Sequence, residues 1–293
     1  MRSPLGWFGG KAYMSKKILE FIPEHKIYVE VFGGAAWLLF AKKPSPVEVY
    51  NDIDYNLVNF FRVLKDPEKF EKFYRKVALT PYSRAEYKYC ADTYELVNDE
   101  IERAYRFFVA VRQGFSGHLG AGWSFNVTAL SRGKAISVSR WLRTINELPA
   151  IASRLLNVQI ECYDWRKILD IYDTEETFFY LDPPYIKETR RAGGYKYELE
   201  DSDHIELVER LLNIKGMAIL SGYDHPIYRP LEENGWVKKQ YEVACHAVGR
   251  TRGTKLLGEG AVKKAGQTRI ECLWICPKTI KKLNKQKLPL LHE

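Results

Sequence analysis

The chain has 293 residues, 46% of them hydrophobic and 28% charged, which supplies a sizeable core and excludes a disordered chain. Its formal net charge of +8 suits an anionic partner. Five scattered cysteines without a Cys-x-x-Cys pair argue against a disulfide framework and a zinc site, and no apolar run reaches bilayer length, so a reducing cytoplasm and no membrane are expected.

Near the amino terminus, Trp7-Phe8-Gly9-Gly10-Lys11 reads as a tight turn leading into a helix over 12–21, with a lysine placed to meet a carboxylate. The β-rich segment Ile27-Tyr28-Val29-Glu30-Val31-Phe32 runs into Gly33-Gly34-Ala35-Ala36 and then the apolar helix Trp37-Leu38-Leu39-Phe40. Strand, glycine turn and helix in that order head a βαβ unit and form a nucleotide-type site. The third glycine of a dinucleotide fingerprint is absent, which disfavours an oxidoreductase and favours a nucleoside ligand without phosphates. A second strand, Val47-Glu48-Val49-Tyr50, ends at Asn51-Asp52-Ile53-Asp54; Asp52 stands about 20 residues past the glycine turn, where an acid reaches a ribose diol. Asp54 reads as a helix cap.

From residue 56 the period changes. Leu57, Phe60, Phe61 and Leu64, and again Ile101, Ala104, Tyr105 and Phe108, fall at helical spacing, so 56–154 is expected to be a helical insert without strands. Its glycine-rich middle presents Arg112, Gln113, Ser116 and His118, followed by Arg132, Lys134, Arg140 and Arg143. Arg and Gln read base edges and clustered cations meet phosphates, so this surface is expected to face nucleic acid. A strand over 158–162 follows, then Tyr163-Asp164-Trp165, where Asp164 suits either an adenine amino group or a helix cap.

The apolar run Phe178-Phe179-Tyr180-Leu181 reads as a buried parallel strand, which puts Asp182-Pro183-Pro184-Tyr185 at its carboxyl end, where open α/β sheets place ligands. A carboxylate and a backbone carbonyl there can accept both N–H groups of a planar amine and concentrate its lone pair. Pro183 offers only an acceptor, and Tyr185 an aromatic face. The basic segment after it, with Lys187, Arg190, Arg191, Gly193-Gly194 and Tyr197, has the character of a lid. Strands over 217–221, 236–243 and 270–275 complete a count of seven, and the 249–269 loop, with Arg250, Arg252 and Lys255, reads as a phosphate-contacting arm. Residues 278–287 read as a basic, solvated tail.

The ordered motifs Trp7 to Lys11, Phe32-Gly33-Gly34, Asn51-Asp52-Ile53-Asp54 and Asp182-Pro183-Pro184-Tyr185 together resemble the Dam-like, alpha-class DNA adenine N6 methyltransferases. Gly114-Phe115-Ser116-Gly117 and Leu220-Ser221-Gly222-Tyr223 add to the likeness, which spans 7 to about 277. The resemblance implies an α/β, Rossmann-like methyltransferase domain (1–55 and 155–280) with a mixed sheet, a target-recognition insert at 56–154 and a basic tail at 281–293. It implies S-adenosylmethionine as donor, S-adenosylhomocysteine as product and no metal. Trp7, Gly9, Gly10 and Lys11 would border the methionyl part, Glu30, Phe32 and Gly33 the cofactor pocket, Asp52 the ribose and Asp164 the adenine. Asp182, Pro183, Pro184 and Tyr185 would hold an adenine flipped out of double-stranded DNA. Val111-Arg112-Gln113-Gly114 departs from the usual Asn-Arg recognition segment, so no target sequence carries over. A bacterial, archaeal or phage enzyme of the nucleoid is expected, monomeric or weakly dimeric, with a restriction endonuclease as a candidate partner. Its rivals are methylation of cytosine N4, RNA adenine or protein glutamine, and an inactive DNA-binding relative.

Overall fold

The computed structural model describes residues 1–7, 9–117, 119–120, 122–190, 195–244 and 268–287. A short helix α1 (Ser15–Leu19) precedes β1 (Ile27–Glu30), α2 (Trp37–Ala41) and β2 (Val47–Asn51). Helices α3 (Tyr55–Lys65), α4 (Pro67–Ala78), α5 (Arg84–Thr93) and α6 (Glu100–Gln113) follow, then a hairpin of β3 (Leu130–Ser131) and β4 (Lys134–Ala135), and the long α7 (Ile136–Leu155). The chain continues through β5 (Val158–Glu161), α8 (Trp165–Tyr172), β6 (Thr177–Leu181), α9 (Asp201–Leu212), β7 (Met217–Gly222) and α10 (Arg229–Glu233). It ends with β8 (Val237–Ala244), β9 (Thr268–Ile275) and α11 (Pro277–Lys287).

Seven strands form one mixed sheet in the order β5-β2-β1-β6-β7-β9-β8, parallel from β5 to β7 and antiparallel at β9 and β8. The seven are those expected from sequence. All five residues of β6 are buried, as a central parallel strand covered on both faces requires. Right-handed crossovers from β1 to β2 and from β2 to β5 put α2 and the inserted helices on one face, while β5 to β6 and β6 to β7 put α8 and α9 on the other. Contacts agree: Phe40 of α2 packs on Phe61 of α3 with ring centroids 6.0 Å apart, and Arg166 of α8 pairs with Glu206 of α9 at 2.7 Å. The direction of travel reverses between β1 and β6, which opens a crevice at their carboxyl ends.

Local sequence sets the helix starts. Asp54, Asp66, Ser83, Asp99 and Asp164 each cap a helix by accepting a backbone N–H. A capping box between Glu200 and Asp203 starts α9. The inserted helices share the sheet's core, because Phe61 meets Tyr50 of β2 edge-on at 4.8 Å and Phe60 on the same helix stacks on Phe108 at 5.5 Å. Buried Glu48 of β2 ties α7 to α2: it accepts from Arg154 at 2.8 Å and from Lys42 at 2.5 Å.

Three local expectations change. The first helix is confined to Ser15–Leu19, because the carbonyl of Lys11 is still closing a turn onto Met14 and Ser15. The insert is not free of strands, since Arg132 and Gly133, both at positive φ, make the two-residue turn that a tight hairpin needs. The tail is helical to Lys287 and is anchored to the sheet: Thr279 and Leu283 are buried, and Thr279 Oγ1 accepts from the Ala218 N–H of β7. The 249–269 loop lies outside the described residues except for its end, Thr268 and Arg269, which begins β9.

Candidate active site

The crevice at the switch point holds a cleft of ≈ 830 Å³, part of it open to solvent. Its floor is the glycine turn after β1. A Cβ on Gly33 would stand 2.3 Å from the Tyr50 ring, so only glycine lets this turn lie against β2. The turn is also held from below: Asp52 accepts the Gly34 N–H at 2.7 Å with one oxygen and the Asp54 N–H at 2.8 Å with the other. Burial pushes the Asp52 carboxyl up to about 6, and those backbone donors only partly oppose it. Glu30, the last residue of β1, is 2% exposed and accepts from Tyr28 Oη at 2.8 Å and from the Leu39 N–H at 2.5 Å. Its carboxyl is pushed up to about 8, again by burial ahead of its hydrogen bonds.

At the end of β6, Asp182 keeps 17% of its side chain exposed toward the cleft. Lys11 crosses from the first glycine turn to meet it, with Nζ donating to Oδ1 at 2.7 Å. Burial raises the Asp182 carboxyl and Lys11 opposes the rise. Burial likewise works against the Lys11 ammonium, but Asp182 and Glu271 more than reverse it, so the lysine is held well above its ordinary range. The Tyr185 ring lies 4.6 Å from Lys11 Nζ and meets Tyr223 edge-on at 4.7 Å.

Trp7, Gly9, Gly10, Lys11, Glu30, Phe32, Gly33, Asp52 and Asp182 all line the cleft, and so does Pro184. Asp164 does not: it accepts from the Arg166 N–H at 2.9 Å as the cap of α8, the structural alternative left open by its sequence. Tyr195, Lys196 and Tyr197 also line the cleft, and Lys196 pairs with Glu95 of the insert. Tyr197 was expected to serve DNA; Tyr195 and Lys196 were missed, because a glycine-flanked segment gives no sign of where it lands.

The residues expected at DNA fall into different surroundings. Arg132, Lys134 and Arg140 are exposed on the β3–β4 hairpin and the start of α7. Lys187 pairs with Glu200 at 2.6 Å, while Arg190 pairs with Glu198 at 2.5 Å and lies over Tyr195. Arg112 and Gln113 turn inward, against their expected role as base readers. Gln113 is fully buried, donating to the Pro81 carbonyl and accepting from the Ser83 N–H, so both ends of its amide hold the 81–83 turn. Arg112 donates to Thr144 Oγ1 at 2.6 Å, and burial, then Arg143 and Arg140, bring its guanidinium down to about 10. Ser116 sits in a 3₁₀ turn, Phe115–Gly117, and only its backbone is described. His118, Arg191, Arg250, Arg252 and Lys255 lie outside the described residues.

Among the described residues, no three His, Cys, Asp or Glu side chains come together as metal ligands, and no helix is long and apolar enough to cross a membrane. The model of one family, described as D12 class N6 adenine-specific DNA methyltransferase, matches residues 7–229. A type II methyltransferase, M.MjaIII of Methanocaldococcus jannaschii, is 26% identical over 80% of this chain and 89% of its own. The DNA adenine methylase of Vibrio cholerae is 24% identical over 87% of this chain and 95% of its own, and that of Salmonella typhi 23% identical over 78% and 83%.

Proposed function

The chain belongs to the D12 class N6 adenine-specific DNA methyltransferases, and from that premise we propose how its residues divide the work. The family acts on DNA adenine, so cytosine N4, RNA and protein glutamine give way as substrates. The observation that carries the reading is the Asp182 carboxylate, at the switch point and paired with Lys11, at the edge of a cleft floored by a glycine turn.

The cleft suits S-adenosylmethionine. Asp52, Asp54 and Asp182, beside a buried Glu30 whose carboxyl keeps its proton up to about 8, line it against the two ammonium groups of Lys11 and Lys196, which favours a cationic nucleoside over a phosphate ligand. Trp7, Gly9, Gly10, Lys11, Glu30, Phe32 and Gly33 would hold the donor, with Asp52 at the ribose. When bound, that donor supplies an electrophilic methyl group on a positively charged sulfur.

The protein's part is to present the amine. An adenine N6 lone pair is delocalised into its ring and cannot be approached in line within the base stack, so the base is turned out of the duplex. The Asp182 carboxylate and the Pro183 carbonyl accept its two N–H groups, Pro184 shapes the pocket edge, and Tyr185 provides the stacking wall. The insert at 56–154 and the segment containing Lys187, Arg190 and Tyr197 face the DNA, with Arg132, Lys134 and Arg140 as phosphate contacts. The name of the M.MjaIII relative suggests a restriction endonuclease of matching specificity as partner. A nucleoid-bound monomer or weak dimer is the form that acts.

The test is transfer of labelled methyl from S-adenosylmethionine to a DNA library, with the modified bases mapped. N6-methyladenine within one short fixed sequence supports the reading. A folded enzyme that binds the donor yet leaves every DNA unmodified defeats it.

A further inference from the structure

Glu271 lies beyond the span that the family model matches, on the antiparallel strand β9. Because β9 runs against β7, with Gly222 opposite Cys272, its start is brought to the carboxyl ends of the parallel strands, beside Asp182-Pro183-Pro184-Tyr185. Glu271 is 1% exposed, and buried carboxylates persist only with partners. It has three: Tyr185 Oη donates to Oε1, Tyr13 Oη donates to Oε2 at 3.2 Å, and Lys11 Nζ stands 3.5 Å from Oε1. Lys11 therefore bridges two carboxylates, closer to Asp182 at 2.7 Å. A stacking wall needs a fixed ring plane, and the Tyr185 ring has its hydroxyl tied to Glu271 with Lys11 near the ring.

We propose that Glu271 is a positioning residue for methyl transfer: it fixes the Tyr185 ring through its hydroxyl and shares Lys11 with Asp182, so that Asp182 is not fully neutralised as an acceptor. This rests on the assignment of Asp182 and Tyr185 to the target adenine. Among the described residues, the groups acting on Asp182 include Lys11, Glu271, Tyr185, Tyr180, Glu30, Tyr13 and Tyr195, with Lys11 as its paired ammonium. Burial raises the Asp182 carboxyl, Lys11 lowers it, and the like charge of Glu271 raises it further. Removing the Glu271 charge leaves Lys11 wholly to Asp182, so Asp182 gives up its proton at lower pH.

The experiment is single-turnover methyl transfer to DNA as a function of pH for the wild type, Glu271→Gln, Glu271→Leu, Tyr185→Phe and the double variant of the last two. Each single change is expected to slow transfer about tenfold, with DNA and donor affinities within about twofold. The double variant should lose less than the product of the two single losses, because Glu271→Leu and Tyr185→Phe share the Tyr185 Oη–Glu271 hydrogen bond, whereas Glu271→Gln removes the charge and keeps an acceptor. In Glu271→Gln the acid limb of the rate profile should move to lower pH, which a purely structural role would not produce. Full rate in Glu271→Gln, multiplying losses in the double variant, or an unmoved acid limb overturns the proposal. Should Glu271→Gln fail to fold, full rate in a folded Tyr185→Phe overturns it equally. Asp182→Ala run in parallel tests the underlying assignment: lost transfer there with multiplying Tyr185 and Glu271 losses rejects the Glu271 inference alone.

Discussion

A carboxylate that must draw electron density onto an amine by accepting one of its N–H groups does so best while charged, and burial pulls the Asp182 carboxyl the other way. Lys11 at 2.7 Å is the counterweight, reached across 171 residues of sequence. Asp182→Ala is expected to bind DNA within about twofold of the wild type and to transfer methyl at least ~100-fold more slowly, as gel shift and labelled-methyl assays would show. Glu30 has a different pH signature. Its folded-state carboxyl sits at about 8, well above its unfolded value, so the folded form is favoured while Glu30 keeps its proton. That contribution is complete below the unfolded value and is lost as pH rises through about 8. Glu30→Gln keeps an acceptor for Tyr28 and Leu39 without a charge, so its stability should match the wild type near pH 5 and exceed it at pH 8. Thermal denaturation at the two pH values checks this; equal gaps at both would count against it. Asp182 and Lys11 were legible in the sequence because each sits in a short motif at a strand or turn end. Glu271 was less so, its one sign being a lone acid in the apolar strand Ile270-Glu271-Cys272-Leu273-Trp274.

Helix and strand identities followed from periodicity where a segment has one wet face or none. The i, i+3, i+4, i+7 apolar sets of α3 and α6 pack together in the core, and the unbroken apolar β6 is central. Periodicity could not show that α11 is anchored, because Lys278, Lys281, Lys282 and Lys285 outnumber its few inward positions. Nor could it show that Gln113, an apt base reader by residue type, closes the last turn of α6 onto residues 81–83. At this scale the joint between insert and sheet is the Glu48 cluster. Glu48→Ala would leave Lys42 and Arg154 buried without their carboxylate, and a loss of about 3 kcal/mol is expected. Urea unfolding measures it, and a change below about 0.5 kcal/mol would show that the cluster does not bind α7 to β2.

Across the whole molecule, the net charge of +8 coexists with a cleft whose wall is mainly acidic, so the excess of cations lies outside the cleft. Arg132→Ala with Lys134→Ala on the hairpin should weaken binding to every DNA sequence alike. It should also flatten the slope of log affinity against log salt by roughly 0.9 for each phosphate contact removed. A filter-binding series across salt concentrations decides this, and an unchanged slope would move the DNA contact elsewhere. Two of the chain's seven tryptophans, Trp7 and Trp37, line the cleft. Their indoles lose water when a ligand fills the space between the glycine turns, so the unlabelled protein carries its own fluorescent gauge of occupancy. Donor, spent donor and competing nucleosides can then be ranked by emission alone, in the absence of DNA.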